Sequence, residues 1–350
     1  MKYDTGRRRV DLFRRPKAPG PKRPRGPLIP ISFAILAILL ILFSLIKPFQ
    51  FGSGINFNPA NVTVPAYTPT PTAVPTPTSI HGGHIVFTCS RKNVNQICMI
   101  RADGSGYQQL TDGTDNAYYP VMSPDTSKIV FALNQYDIFN LNVLTLANLD
   151  ISKLTDQIGN SFSPDFSPDG KKLVFVNKVG NLPSALWVVD SDGKNAHQIY
   201  SGSHDIVGAA WSPDGNSIAF TMQVDSAFTY QVFVLDLRNP NAAPKQISRG
   251  RSDIGGSVDW SPDGRSLAIF AGPVAAREIY RLDVASGSLT QLTFGGNNAA
   301  PSYSPDGQYL VFNSLRNNNQ ADLYIMRSDG HSTRQLTTNP EPDWQPQWGP

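Results

Sequence analysis

The string Ser-Pro-Asp returns in step at Ser123, Ser167, Ser212, Ser261 and Ser304, and degenerates to Gly349-Pro350 after one further interval. The spacings are 44, 45, 49, 43 and 45 residues. A period of that length marks one supersecondary unit that cannot bury its own apolar face and must stack on copies of itself. The residue before each copy is always large and apolar: Met122, Phe166, Trp211, Trp260, Tyr303 and Trp348. Gly follows at 170, 215, 264 and 307, with Thr126 replacing it once. Pro-Asp-Gly between two strands is a tight-turn signal: Pro presets φ, Asp bonds to the local backbone, and Gly takes the left-handed position. A further copy at Ser163 is out of phase and reads as a loop.

Six residues after each in-phase Ser comes a short apolar run, as in Ile129–Phe131, Leu173–Phe175 and Leu310–Phe312; Ile85–Phe87 is a sixth copy without its own Ser-Pro-Asp. A third run follows in each unit, such as Ile97–Ile100 and Leu323–Met326. A shorter fourth follows it, such as Gln109–Thr111 and Gln335–Thr337. Four short strands per ~45 residues predict an all-β, six-bladed β-propeller over 81–350. The first unit lacks an innermost strand, and Asp343–Trp348 supplies one without a continuation. That segment is therefore expected to complete the first blade, closing the ring and removing the sheet edges of a linear array.

The preceding residues divide into three. Residues 1–27 form a basic tail. Up to residue 26 there are ten Lys or Arg against Asp4 and Asp11, so from the formal total of +3 the other 324 residues carry −5. A weakly acidic bulk argues against nucleic acid as a partner. Residues 28–46 carry no charge and, as a helix, would span about 28 Å. Ten cations before the stretch and only Lys47 close behind predict a signal anchor that spans the membrane once, with the N-terminus cytoplasmic. Residues 47–80 are a linker; Pro59–Ser79 holds six Pro and six Thr. Such a composition cannot bury a core and favours polyproline II, reaching roughly 65 Å when extended. The expectation is a propeller on the extracytoplasmic side of a bacterial cell membrane, in the periplasm or its equivalent.

The Trp-Ser-Pro-Asp-Gly repeats, followed by Ile-Ala-Phe and ending on Gln-Leu-Thr, resemble the TolB-type, WD40-like propeller repeat and the propellers of prolyl-oligopeptidase-like peptidases. The resemblance covers residues 81–350. It implies a bacterial source and a TolB-like fold, in a chain that is not a TolB orthologue. TolB carries a small α/β domain before its propeller, where a membrane helix and spacer are expected here. The peptidases carry a hydrolase domain, and no G-x-S-x-G nucleophile elbow occurs in this sequence.

No other catalytic or phosphate-binding motif is present, and the five His are scattered. His81 and His84 lack a visible third ligand, so no metal or cofactor is expected. The repeated Asp of Ser-Pro-Asp belong to turns, and the aromatic before each Ser belongs to the core between blades. The expected function is non-enzymatic binding of a protein, peptide or cell-envelope glycan at the channel mouth. The loops leading into the innermost strands supply the candidate residues Tyr118, Tyr119, His204, Asp205, Asn297, Asn298, Asp343 and Trp344. A propeller lyase or hydrolase with a channel site, and a structural or regulatory ectodomain, are the alternatives. Cys89 and Cys98 lie on neighbouring strands of the first blade, where a hairpin would bring them opposite each other as a disulfide in an oxidising compartment.

Overall fold

The computed structural model describes residues 83–225, 229–239, 241–250, 253–317 and 319–349. The basic tail, the 28–46 span, the linker and His81 lie outside the described residues. Among the described residues no helix is long and apolar enough to cross a membrane.

The described chain forms six four-stranded antiparallel sheets. Blade 1 holds β1 (His84–Arg91), β2 (Val94–Arg101) and β3 (Gln108–Gln109). Blade 2 holds β4 (Asn116–Met122), β5 (Lys128–Gln135), β6 (Ile138–Thr145) and β7 (Asp150–Lys153). Blade 3 holds β8 (Asn160–Phe166), β9 (Lys172–Lys178), β10 (Ala185–Asp190) and β11 (His197–Tyr200). Blade 4 holds β12 (Ile206–Trp211), β13 (Ser217–Gln223), β14 (Tyr230–Asp236) and β15 (Lys245–Gln246). Blade 5 holds β16 (Ile254–Trp260), β17 (Ser266–Ala271), β18 (Glu278–Asp283) and β19 (Leu289–Gln291). Blade 6 holds β20 (Asn298–Tyr303), β21 (Tyr309–Ser314), β22 (Asp322–Arg327) and β23 (Arg334–Gln335). The last strand, β24 (Asp343–Trp348), returns to pair with β1, giving blade 1 the order β24-β1-β2-β3. The architecture is the expected six-bladed propeller, closed by its C-terminal strand.

The core follows from the apolar run of each second strand. Phe87, Phe131, Phe175, Phe220, Ile269 and Phe312 are fully buried. The large residue before each Ser also packs inward: Trp348 stacks on Tyr309 at 6.5 Å, and Trp260 Nε1 donates to Ala210 O of the preceding blade at 3.2 Å. The Ser-Pro-Asp turns work as read. Each Ser Oγ donates to its Asp Oδ1 at 2.6–2.7 Å and accepts the backbone N–H five residues on. The Ser hydroxyl, with the backbone N–H at 127, holds Asp125 down at about 2. In an antiparallel meander these turns all fall on one face, the lower. The turns joining second to third strands, and the segments leading into innermost strands, fall on the upper face.

Two expectations need correction. Ser163-Pro164-Asp165 is not a loop; it lies inside β8, the innermost strand of blade 3. All six innermost strands shift register midway against their neighbour. In four of them the shift holds an x-Pro pair with x at positive φ: Tyr119 (53°), Ser163 (50°), Ala300 (50°) and Gln345 (50°). Pro lacks the N–H that a ladder needs, so a β-bulge is where a strand tolerates it. Blades 4 and 5 use Gly instead, for want of room. A Cβ on Gly208 would sit 1.9 Å from Gly256 O, and one on Gly255 would sit 1.8 Å from the Phe270 ring.

The second correction concerns the cysteines. The register opposes Cys89 to Gln96 and Cys98 to Phe87, so the two are diagonal rather than opposite. Their Cα atoms are 5.9 Å apart and their sulfurs 1.97 Å apart, as a disulfide, and both side chains are fully buried. Denatured but unreduced protein should therefore yield no alkylated cysteine, and two after reductant. Labelling of both before reduction would contradict the bridge. A closed loop of ~10 residues is worth roughly 2–3 kcal/mol if chain entropy governs it.

Candidate binding faces and the central channel

Most polar groups that recur in phase with the repeat are joints between strands. The Thr or Ser ending the fourth-strand motif accepts the N–H of the third strand at 2.8–3.0 Å in five blades: Thr111, Thr155, Ser248, Thr293 and Thr337. An Asn or Asp before or at the start of five innermost strands accepts an N–H at or just before the preceding blade's third strand. Asn116 takes Asn95 N–H, Asn160 takes Phe139, Asp205 takes Ser184, Asp253 takes Tyr230 and Asn297 takes Arg277. This assigns two of the rim candidates. Asp205 also meets Lys178 Nζ at 3.1 Å; burial alone would raise its carboxyl, but Ser184 and Lys178 hold it below its ordinary value. Asn297 is the equivalent joint between blades 5 and 6.

The other candidates separate. Asn298 is fully buried and donates to Glu278 Oε2 at 2.8 Å. Asp343 is fully buried, 3.1 Å from Arg91 Nη2, and burial raises its carboxyl despite Asn339 and Arg91. Tyr118, Tyr119, Asn298, Asp343 and Trp344 sit on innermost strands rather than in loops. Tyr118 packs on Phe139 at 5.9 Å, and Tyr119 on Phe162 at 6.5 Å across the joint to blade 3. His204 is half-buried in the loop before β12, its Nδ1 2.9 Å from Ser203 Oγ. The candidates thus do not converge into one constellation. Among the described residues no group of three or more His, Cys, Asp or Glu is placed to hold a metal ion.

The channel holds chemistry that the sequence reading missed. The residue before each inward-packed large residue faces the next blade's innermost strand. Where that residue is polar, it accepts the backbone N–H there: Gln347 from Met122 at 3.3 Å, Asp165 from Trp211 at 2.6 Å, Asp259 from Tyr303 at 2.7 Å and Ser302 from Trp348 at 3.0 Å. Asp165 and Asp259 pay heavily for their place inside the ring. Burial pushes Asp165 up to about 7, with the charge of Asp259 adding, while the Trp211 N–H opposes. Burial pushes Asp259 up to about 6. A periodic signal existed: Pro stands two residues before the large residue at 120, 164, 301 and 346, marking the bulges and, at 164, 301 and 346, the polar acceptor that follows.

The upper face also carries exposed apolar side chains. Among the described residues the four most exposed large hydrophobics are Tyr136 (98%), Phe294 (81%), Leu182 (66%) and Val274 (65%). Tyr136, Leu182 and Val274 lie between the second and third strands of blades 2, 3 and 5, and Phe294 lies in the segment leading into β20. All four are on the upper face.

Comparisons with known proteins agree with this geometry. The family profile described as TolB beta propeller domain matches residues 176–350. An uncharacterized protein of Agrobacterium fabrum is 40% identical over 92 residues, which is 26% of this chain and 31% of that protein. The Tol-Pal system protein TolB of Anaeromyxobacter dehalogenans is 30% identical over 120 residues, 34% of this chain and 27% of the relative. The chain therefore spans about a third or less of the length of these curated relatives. Among solved structures, TolB from Acinetobacter baumannii superposes with a TM-score of 0.67 at 22% identity, covering 77% of this chain and 67% of that one. An oligogalacturonate lyase in complex with manganese superposes at 0.52 and 17% identity, covering 72% and 73%. At these identities the likeness is one of fold, and the fold is shared by a Tol-Pal system protein and a lyase.

The two channel carboxyls give the domain a pH dependence with a definite sign. Their folded values lie above the ordinary ~3.9 of an unfolded Asp. Their contribution is therefore fully present below about pH 4 and is lost as pH rises through 6 to 7, where the folded ring must ionise a half-buried group. Asp165→Asn/Asp259→Asn keeps an acceptor for both N–H groups and removes the ionisation. The variant's melting temperature should gain on the parent's steadily from about pH 4.5 to about pH 8. A difference that stays constant across that range would contradict the assignment.

Proposed function

Because the chain belongs to the TolB beta propeller domain family, we propose that it is a non-enzymatic binding module that docks a protein or peptide on the upper face of its propeller. In this reading a single N-terminal span anchors the chain in a bacterial membrane, and the Pro/Thr-rich linker holds the propeller clear of it on the extracytoplasmic side. The carrying observation is the placement of the four most exposed apolar side chains on one face. Exposed apolar surface is unfavourable by about 25 cal/mol per Å² until a partner covers it, and side chains of this kind on a single face offer anchors to a partner that spans it. The lower face offers a different chemistry. Its Ser-Pro-Asp side chains are already bonded within their own turns, leaving them less to give to a partner.

The test compares the full chain with a Tyr136→Ser/Leu182→Ser/Val274→Ser/Phe294→Ser variant. All four positions are exposed, so the variant should melt with the parent. Proteins captured from the envelope by the parent and identified by mass spectrometry should fall roughly tenfold or more for the variant, since a few apolar anchors carry most docking energy. An unchanged set of captured proteins would contradict docking on this face. A parent that captures nothing would contradict the binding-module reading itself.

A further inference from the structure

Blade 6 carries a second surface of another kind on the upper face. A cleft of about 540 Å³ opens between the β21–β22 turn and the segment leading into β24. That volume is within the range of small-molecule sites. Its walls are formed by Asn317, Gln320, Asp322, Gln335, Thr338 and Asn339, with Arg316 at one side and Pro340 as the apolar member.

Asp322 is the group that needs a ligand. It is the first residue of β22 and only 5% exposed. Its Oδ2 accepts from Gln335 Nε2 at 3.0 Å, while its Oδ1 is buried with no hydrogen-bond partner among the described residues. At the matching place in other blades the repeat satisfies the side chain itself. Gln96 Oε1 accepts from Thr111 Oγ1, Gln231 Oε1 from Ser248 Oγ, and Glu278 Oε2 from Thr293 Oγ1. In blade 6 the side chain is one methylene shorter than these, and Thr337 Oγ1 accepts Leu323 N–H at 3.0 Å without bonding to it. Asn140 in blade 2 also leaves its Oδ1 unpaired, but as a neutral amide. A buried carboxylate oxygen without a donor costs more than a neutral one. The cost registers in the carboxyl itself: burial and the charge of Asp343 push it up to about 6, against the Gln335 hydrogen bond and the Gln320 amide nearby, which donates instead to Asn339 O.

The remaining chemistry says what the donor is. Arg316 lies 4.6 Å over the Tyr324 ring and donates to Asn298 Oδ1 at 3.0 Å, so one cation balances one anion and the cleft attracts neither sign strongly. The walls present three kinds of neutral group: amides, a hydroxyl and one Pro ring. Each amide offers a donor and an acceptor in one plane, a spacing that suits adjacent hydroxyls. Gln320 Nε2 donates to Asn339 O at 2.7 Å and Asn317 Nδ2 to Gln335 Oε1 at 2.7 Å, which fixes these side chains in advance of binding. Pre-ordered groups spend less affinity on being immobilised. We propose that this cleft binds a neutral saccharide, one hydroxyl donating to Asp322 Oδ1 and neighbouring hydroxyls bridged by the amides of Asn317 and Asn339. The site is separate from the apolar rim, so each proposal stands or falls without the other.

The experiment titrates the purified full chain with cellobiose, maltose and N,N′-diacetylchitobiose, with digalacturonate and putrescine as anionic and cationic controls, by calorimetry and saturation-transfer NMR. At least one neutral disaccharide binds, and the controls bind more weakly. Asp322→Asn keeps an acceptor for Gln335 and replaces the unpaired oxygen by a donor, so it should weaken the sugar roughly tenfold, the loss of one bond to a charged acceptor. Its melting temperature should not fall, which separates lost binding from lost fold. Asn317→Ala, on the rim of the cleft, should weaken the same sugar. Failure of all three neutral sugars to bind, equal binding by Asp322→Asn, or a preference for putrescine or digalacturonate would overturn the proposal.

Discussion

The structure depends on how an innermost strand disposes of its second edge. Each of these six strands pairs with its own blade on one side only, and an unpaired row of N–H and C=O groups is both costly and adhesive. The ring resolves this by side chains: Gln347, Asp165, Asp259 and Ser302 each reach across to the next innermost strand and accept one of its N–H groups. Those bonds exist only if a next strand is always present, and it is present for blade 6 only because β24 folds back onto β1. Closure thus makes both joints that flank β24, Ser302 to Trp348 and Gln347 to Met122. The bulges recur in all six innermost strands, where each bends into the channel wall, and four of them present an N–H that the neighbouring blade accepts.

The same economy explains why the polar rim is not a ready-made active site. Asp205 and Asn297 are attractive as isolated residues near a channel mouth. In the ring they are members of a series with Asn116, Asn160 and Asp253, each spent on the blade before it. A buried acceptor already filled by backbone N–H groups has little left to offer a substrate. The surface chemistry that remains belongs to residues that break the repeat: the apolar tips at Tyr136, Leu182, Val274 and Phe294, and the shortened side chain at Asp322.

That distinction measures what could be read in advance. Blade number, turn chemistry and the closing strand Asp343–Trp348 were legible because each is enforced at every repeat, so the period itself carries them. Ser163 was misread because Ser-Pro-Asp serves two purposes in this chain. In phase it is a turn in which Ser caps Asp; out of phase its Pro sits in a bulge and its Asp spans two blades. A string of three residues does not distinguish these, whereas the interval from Pro to the following large residue does. The disulfide partners were legible from proximity on a hairpin, but their diagonal offset was not, since register is set by pairing across the whole of β1 and β2. The cleft at Asp322 was invisible for a different reason: it arises from a side chain one methylene shorter than Gln96, Gln231 and Glu278, and what that leaves unpaired depends on the bond the longer side chains make to Thr or Ser.

Removing Asp343–Pro350 tests closure most directly. The segment supplies the innermost strand of blade 1, the partner for Ser302, and Trp348, which is 4% exposed. Truncating one buried Trp alone costs about 3–5 kcal/mol, against a typical domain stability of about 5–15 kcal/mol. The lost pairing adds an open edge on β1 and leaves the joint to blade 6 unmade. Thermal unfolding of the full chain with and without these eight residues decides the matter. If the ring is the condition of the fold, the truncated protein fails to give a cooperative transition or aggregates before one. If the blades were a simple linear stack, only the end would fray. A soluble truncated protein that melts within a few degrees of the parent would contradict closure as the foundation of the structure.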